Sequence, residues 1–274
     1  MYQSIEEANK KLKTLAQLIE DKPKVIKQSG EIRVGVDLGT ANLVLTAVDD
    51  SNNPILGFST PGTVVRDGLV VDYIGAINII KEMKKKMESV LGREIEIAAT
   101  AVPPGTGARD IDTFKNVVQS SGFEVSNVVD EPSAAATVLG IKDGIVVDIG
   151  GGTTGISILK NGESLYTADE PTGGTHLSLV IAGNYKISFA EAEKMKKDST
   201  QESKIAILIT PVIEKIATII NKHISNYDAK TIYLVGGTSN VKGIEKVLAQ
   251  STGLEVVKPF HPLLVTPLGI AMNC

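Results

Sequence analysis

The chain has 274 residues, a formal net charge of −4, 42% hydrophobic and 22% charged residues. These are globular values that exclude wholesale disorder, and a pI near 5.5 argues against a broad nucleic-acid surface. The single cysteine is the last residue, Cys274, which excludes an internal disulfide framework and a thiolate metal centre and fits a reducing, cytoplasmic setting.

At roughly 150 residues per domain, the length predicts two domains. No run approaches the roughly 18 apolar residues of a membrane helix, and residues 1–30 lack the apolar core and small-residue cleavage site of a signal peptide. Tryptophan is absent, whereas the 26 glycines gather where strands are predicted to end.

Residues 1–22 read as a helix capped by Ser4, with Ile5, Ala8, Leu12, Leu15 and Ile19 forming one apolar stripe. The polar stretch from Pro23 to Gly30 reads as a linker. Strands are predicted at 32–37 and 43–48, and a third within 54–73, where Arg66-Asp67-Gly68 marks a turn. A helix over 74–91, a strand over 95–102, a helix over 110–121, a strand over 125–129 and an Ala-rich helix over 133–139 follow. A second round places strands at 145–148, 154–159 and 163–168, then helices over 175–182, 189–197 and 203–225. It closes with a strand at 231–235, a helix at 241–250, a strand at 254–257 and a helix at 267–272.

The two rounds form a weak internal duplication. One opens Val34-Gly-Val-Asp-Leu-Gly-Thr40 and the other Ile145-Val-Val-Asp-Ile-Gly-Gly-Gly-Thr153. Each places an aspartate at a strand end, then a glycine turn, then a second strand. Two α/β halves built this way face each other across a cleft, a usual place for a ligand. The predicted division is an extension over 1–30, halves over 32–143 and 144–261, and a terminal helix over 262–274 that crosses back to the first half.

Glycine turns let backbone N–H groups converge on a phosphate, because no Cβ blocks close approach. Thr40, Thr153 and Thr154 add hydroxyls. Asp37 and Asp148 would face that phosphate and repel it unless a divalent cation lay between, and Mg²⁺ characteristically takes one or two carboxylates, waters and substrate phosphates. Each turn taken alone could be a structural β-turn. Gly236 and Gly237 permit close approach of a nucleoside, with Thr238 and Ser239 as alternative helix caps. Glu131 could orient a water or simply favour the positive end of the next helix. Residues 103–109 lack the Lys and Ser/Thr of a Walker A loop, and His176, His223 and His261 show no ligand spacing.

Together these blocks resemble the actin, sugar-kinase and 70-kDa heat-shock chaperone superfamily over about residues 32–273. Gly35-Val-Asp37-Leu-Gly-Thr40 resembles the first phosphate loop and Asp148-Ile-Gly-Gly-Gly-Thr153 the second. Ala101-Val-Pro-Pro104 through Glu131-Pro-Ser-Ala-Ala-Ala136 resembles the first connecting segment. Val235-Gly-Gly-Thr238 resembles the adenosine loop, and Thr266-Pro-Leu-Gly-Ile-Ala271 the second connecting segment. The resemblance implies an actin-like (ribonuclease H-like) α/β ATPase fold of two duplicated βββαβαβα halves around a nucleotide cleft.

By that resemblance ATP or ADP would be bound with Mg²⁺ held through water by Asp37 and Asp148. Gly39, Thr40, Gly150, Gly151, Gly152 and Thr153 would cradle phosphates. Glu131 would position the attacking water, which makes Asp37, Glu131 and Asp148 the catalytic set of a weak ATPase. Glu193, Lys196 and Lys197 would contact ribose and adenine, and Gly236, Gly237 and Thr238 would pack on the nucleoside. Where chaperones and bacterial actins carry a further aspartate, this chain has Gly155, which takes one acidic group from that set. The chaperones' catalytic lysine has no clear counterpart in residues 54–73, and their peptide-binding domain is missing.

The first helix, the Arg66–Asp72 stretch and the short route from Thr175 to His223 are similar to a compact, chaperone-like branch tied to ethanolamine utilization and bacterial microcompartments. That implies slow Mg-ATP hydrolysis driving cleft closure, with ethanolamine-breakdown enzymes or microcompartment shell proteins as partners. It implies neither nucleic-acid nor membrane binding. Two alternatives stand beside it: a small-molecule kinase of sugar or acetate type, and a non-hydrolysing assembly or scaffold protein. The apolar stripe of the first helix either targets shells or packs on the chain itself.

Overall fold

The computed structural model describes residues 2–21, 25, 26 and 30–274. The predicted linker from Pro23 to Gly30 falls mostly outside them. The chain opens with α1 (Tyr2–Asp21), and the first half then runs β1 (Arg33–Leu38), β2 (Asn42–Val48), β3 (Pro54–Pro61), the short hairpin β4 (Val65–Arg66) and β5 (Leu69–Val70), α2 (Tyr73–Leu91), β6 (Ile97–Val102), α3 (Ala108–Ser120), β7 (Glu124–Asp130) and α4 (Glu131–Leu139). The second half runs β8 (Gly144–Ile149), β9 (Thr154–Lys160), β10 (Glu163–Glu170), α5 (Gly174–Tyr185), α6 (Phe189–Lys197), α7 (Glu202–Ile224), β11 (Thr231–Val235), α8 (Ile244–Thr252), β12 (Glu255–Val257) and α9 (Val265–Met272).

The duplication is exact in topology. The two five-stranded sheets have the orders β3-β2-β1-β6-β7 and β10-β9-β8-β11-β12. In each, the leading strand pairs antiparallel with its hairpin partner and parallel with the strand that follows the crossover helix. Parallel pairing needs such a crossover, and the β-branched, apolar strands suit burial on both faces.

Side-chain alternation along the leading strands sorts the core into layers. Val34, Val36 and Leu38 of β1 point towards α2 and α3, where Ile80, Met83, Phe114 and Val117 meet them. Ile145, Val147 and Ile149 of β8 point towards α5, α7 and α8. Val146 points the other way, into a layer shared with Tyr233, α4, α9 and α1. Helices α4 and α9 therefore fill the space between the sheets.

That layer is tight. A Cβ on Gly269 of α9 would stand 2.0 Å from the carbonyl oxygen of Ala134 in α4. A Cβ on Gly35 of β1 would stand 2.4 Å from the backbone nitrogen of Ala271. Helix α9, entered from the second half, packs directly on the first.

The stripe of α1 is used within the chain. Ala8, Leu12, Leu15 and Ala16 are buried with Val48, Leu139 and Leu264. The bare backbone of Gly57 in β3 lies under Leu15 and Ile19, and the N–H of Phe260 donates to Asn9 Oδ1 at 2.7 Å. Two local expectations are corrected. Helix α1 begins at Tyr2, so Ser4 lies inside its first turn rather than at its cap. The helix expected from Val241 begins at Ile244, because Gly243 adopts φ +81° and a separate 3₁₀ turn occupies Gly237–Asn240.

The buried stripe gives a first prediction. Leu12→Ala should lower the unfolding free energy by about 2–5 kcal/mol, read from urea denaturation midpoints, whereas Lys10→Ala on the exposed face should change it by less than about 0.5 kcal/mol.

Candidate functional site

The strand ends of both halves open on one cleft of about 1000 Å³. The first half contributes Asp37, Gly39, Thr40 and Glu131, and the second contributes Asp148, Gly150, Gly151, Gly152, Thr153, Glu193, Lys196, Lys197, Gly236, Gly237 and Thr238. The structure thus brings these fifteen residues to one cavity, whereas Thr154 and Ser239 do not line it.

The two glycine turns meet. A Cβ on Gly151 would lie 3.4 Å from Thr40 Cβ, so the loops of the two halves touch across the cleft. In the second loop the carbonyls of Gly150 and Gly151 accept from the N–H groups of Gly174 and Thr175 at 3.0 and 2.8 Å. The Thr238 hydroxyl also donates to the Gly150 carbonyl, at 2.7 Å. Those bonds pin the loop's carbonyls to the start of α5. No described residue accepts from the N–H groups of Gly151 and Gly152, which leaves two adjacent backbone donors lining the cleft, a geometry that suits an anion. Gly236 is required by shape: its φ is +90°, and a Cβ there would lie 2.2 Å from Asp148 Oδ1.

The floor of the cleft is acidic. Burial, and then the charge of Asp148, push Asp37 up to about 7. Burial pushes Asp148 up to about 6, against the hydrogen bond that the Thr266 hydroxyl donates to its Oδ2 at 2.8 Å. Glu131, first residue of α4, is raised well above the usual range by burial and by Asp148, Asp37, Asp169 and Asp130. Asp130 caps α4 through the Ser133 N–H at 2.9 Å, which leaves Glu131 free to face the cluster.

Asp169 belongs to this cluster and was not among the expected residues. It lies directly opposite Gly155 in the β9–β10 register, so a carboxylate from the neighbouring strand stands beside the position where Gly155 has none. Burial raises Asp169 to about 6, opposed by a hydrogen bond from Thr153. Its Oδ1 is buried without a partner among the described residues. The strand was expected to stop at 168, and only cross-strand register could have revealed the next residue.

The crowded carboxylates fit a divalent cation. Among the described residues no three metal-ligating side chains form a ready cage, and a Mg²⁺ that keeps waters and substrate phosphates needs no more than Asp37 and Asp148.

At the other end of the cleft, Lys196 and the Ser178 hydroxyl donate to Glu193 Oε1, and Lys196 also reaches the Gly174 carbonyl at 3.0 Å. Burial pushes Glu193 up, but these hydrogen bonds outweigh it and hold the carboxyl below its usual range. Burial lowers Lys196 despite the Glu193 bond. Lys197 lies 3.6 Å from Glu193 Oε2.

Three hydroxyls expected to serve a ligand or a cap do structural work instead. Thr154 donates to the Thr172 carbonyl at 2.6 Å. Ser239 donates to Val235 at 2.6 Å and Thr238 to Gly150, so neither caps the next helix. His223, one of the three histidines without ligand spacing, joins Tyr166 at 2.6 Å and Glu170 at 2.7 Å, on the α7 side of β10.

Comparison with known proteins agrees with this architecture. The model for the type IV pilus assembly protein PilM matches residues 127–268, and that for the Hsp70 protein matches residues 70–181. The ethanolamine utilization protein EutJ of Escherichia coli (strain K12) is 41% identical over 264 residues, covering 96% of this chain and 92% of that protein. The crystal structure of EutJ from Carboxydothermus hydrogenoformans superposes with a TM-score of 0.92 at 51% identity, covering 98% of each chain. MreB5 of Spiroplasma citri bound to ADP shares the fold alone, with a TM-score of 0.69 at 20% identity, 87% of this chain and 94% of that one. The fold is the actin-like ATPase fold. Among the described residues, no helix is long and apolar enough to cross a membrane.

The raised carboxylates make stability depend on pH. Unfolded, Asp37 loses its proton near its ordinary value of 3.8; folded, it does so near 7. Between those values the folded state holds more protons, so stability falls as pH rises, and the loss is complete above the folded value. Asp37→Asn should therefore stabilise the metal-free protein by about 1–3 kcal/mol at pH 8 and by almost nothing at pH 4, measured by urea denaturation with chelator present.

Proposed function

We propose that this chain, which belongs to the ethanolamine utilization protein EutJ family, binds ATP and ADP with Mg²⁺ in the cleft between its halves. The observation that carries this reading is the meeting of two glycine turns over a floor of carboxylates. The free N–H groups of Gly151 and Gly152, with Gly39, Gly150 and the Thr40 hydroxyl, receive the phosphates, and Thr153, whose hydroxyl donates to Asp169, lines the same turn. Gly236, Gly237 and Thr238 lie against the nucleoside, and Glu193, Lys196 and Lys197 approach its ribose and base.

Asp37 and Asp148 are the residues that would hold Mg²⁺. A divalent cation there neutralises phosphate charge that the carboxylates would otherwise repel. Glu131, kept facing the cluster by the Asp130 cap, accepts a proton from or orients a water at the phosphate end. Hydrolysis by such a site is slow, and ATP and ADP favour different degrees of closure of the two halves. A ligand shifts that equilibrium only by its differential affinity for the two states.

The family membership supports a chaperone-like role in ethanolamine utilization. Its partners are ethanolamine-breakdown enzymes or microcompartment shell proteins, met in the cytoplasm. Because the apolar stripe of α1 is buried on the chain's own body, partner recognition falls to other surfaces.

Isothermal calorimetry should show one saturable site for ATP that Mg²⁺ tightens, accompanied by slow phosphate release. In Asp148→Asn the gain from Mg²⁺ should shrink by about tenfold. No heat at millimolar nucleotide would overturn the reading.

A further inference from the structure

The hairpin β4–β5 is not used by the reading above, yet it reaches the centre of the cleft. Its two-residue turn has Asp67 at φ +49° and Gly68 at φ +75°, the left-handed pair of a tight, twist-matched hairpin. Arg66 and Leu69 pair directly across it. The tip leaves the first half and touches the second. The Asp67 backbone nitrogen lies 3.2 Å from where a Cβ on Gly152 would stand, as does the Thr40 hydroxyl oxygen. A Cβ on Gly68 would lie 3.1 Å from Pro103 Cγ and 3.8 Å from Asp169 Oδ2. The hairpin thus closes over the place where the two glycine turns meet.

Arg66 lines that part of the cleft. The other cations lining it are already engaged. Lys196 and Lys197 both pair with Glu193, and Lys242 pairs with Glu202 at 2.8 Å. Among the described cleft-lining residues, Arg66 is the cation with no carboxylate partner. A guanidinium is always charged, and its fork matches phosphate oxygens two at a time.

Placement decides which phosphate it would meet. On the reading above, a nucleoside against Gly236 and Gly237 would direct its phosphates through the paired glycine turns, and the third phosphate would extend furthest towards the hairpin tip that touches Gly152. The first two would meet the N–H groups of Gly151 and Gly152, which donate to no described residue, while Arg66 is the cleft-lining cation left for the third. We propose that Arg66 reads the terminal phosphate and sets the preference of this site for a nucleoside triphosphate over a diphosphate. The proposal rests on nucleotide binding in this cleft.

The test is calorimetry of the full chain, as wild type, Arg66→Ala and Arg66→Lys, titrated with ADP and with a non-hydrolysable ATP analogue in the presence of Mg²⁺. Arg66→Ala should weaken the triphosphate by about 10–100-fold and ADP by less than about threefold. Arg66→Lys should recover part of the loss, since it keeps the charge without the fork. The exposed side chain should leave the melting temperature of the ligand-free protein unchanged. Equal weakening of both nucleotides, or of neither, would overturn the role of Arg66 while nucleotide binding stands. A wild-type protein that binds neither would overturn both.

Discussion

The close approach of α9 to its neighbours governs the rest of the molecule. Bare backbone at Gly269 meets α4, and bare backbone at Gly35 meets α9. With those side chains removed, one helix can serve two halves. It starts beside the strand ends of the second half and ends against the leading strand of the first. Thr266, in its first turn, donates to Asp148, so the packing that joins the halves also fixes the orientation of a carboxylate at the centre of the cleft. A methyl group at either glycine would disturb both.

Around that seam the electrostatics are deliberately unbalanced. Asp37, Glu131, Asp148 and Asp169 are all raised, and burial is the leading cause for each. Carboxylates gathered without cations are costly to ionise in a desolvated site. The lysines that line the cleft are committed elsewhere, to Glu193 and Glu202. The arrangement separates an acidic floor from a neutralised end at Glu193 and Lys196, with the glycine turns between them.

Much of this was legible in the residues themselves. An apolar strand, an aspartate and a glycine turn, repeated in order at Asp37 and Asp148, report backbone geometry that few other residue types can adopt. The crossover helices follow from periodicity, and the shared strand order follows from the duplication. What escaped depends on tertiary neighbours. A threonine hydroxyl has several possible acceptors, and nothing in the local sequence says that Thr154 chooses Thr172 or that Thr238 chooses Gly150. Asp169 gains its meaning only from lying opposite Gly155. The late start of α8 reflects a left-handed Gly243 that periodicity overlooks.

Helix α1 carries a consequence for how the halves are held together. It is not an outrigger but a third rod laid beside α4 and α9, wedged onto Gly57 at one side and tied to Phe260 at the other. Any rotation of one sheet against the other must shear this bundle. Helix α1 therefore bridges β3 of the first half and the segment that follows β12 in the second, a buttress between the halves that is separate from α9.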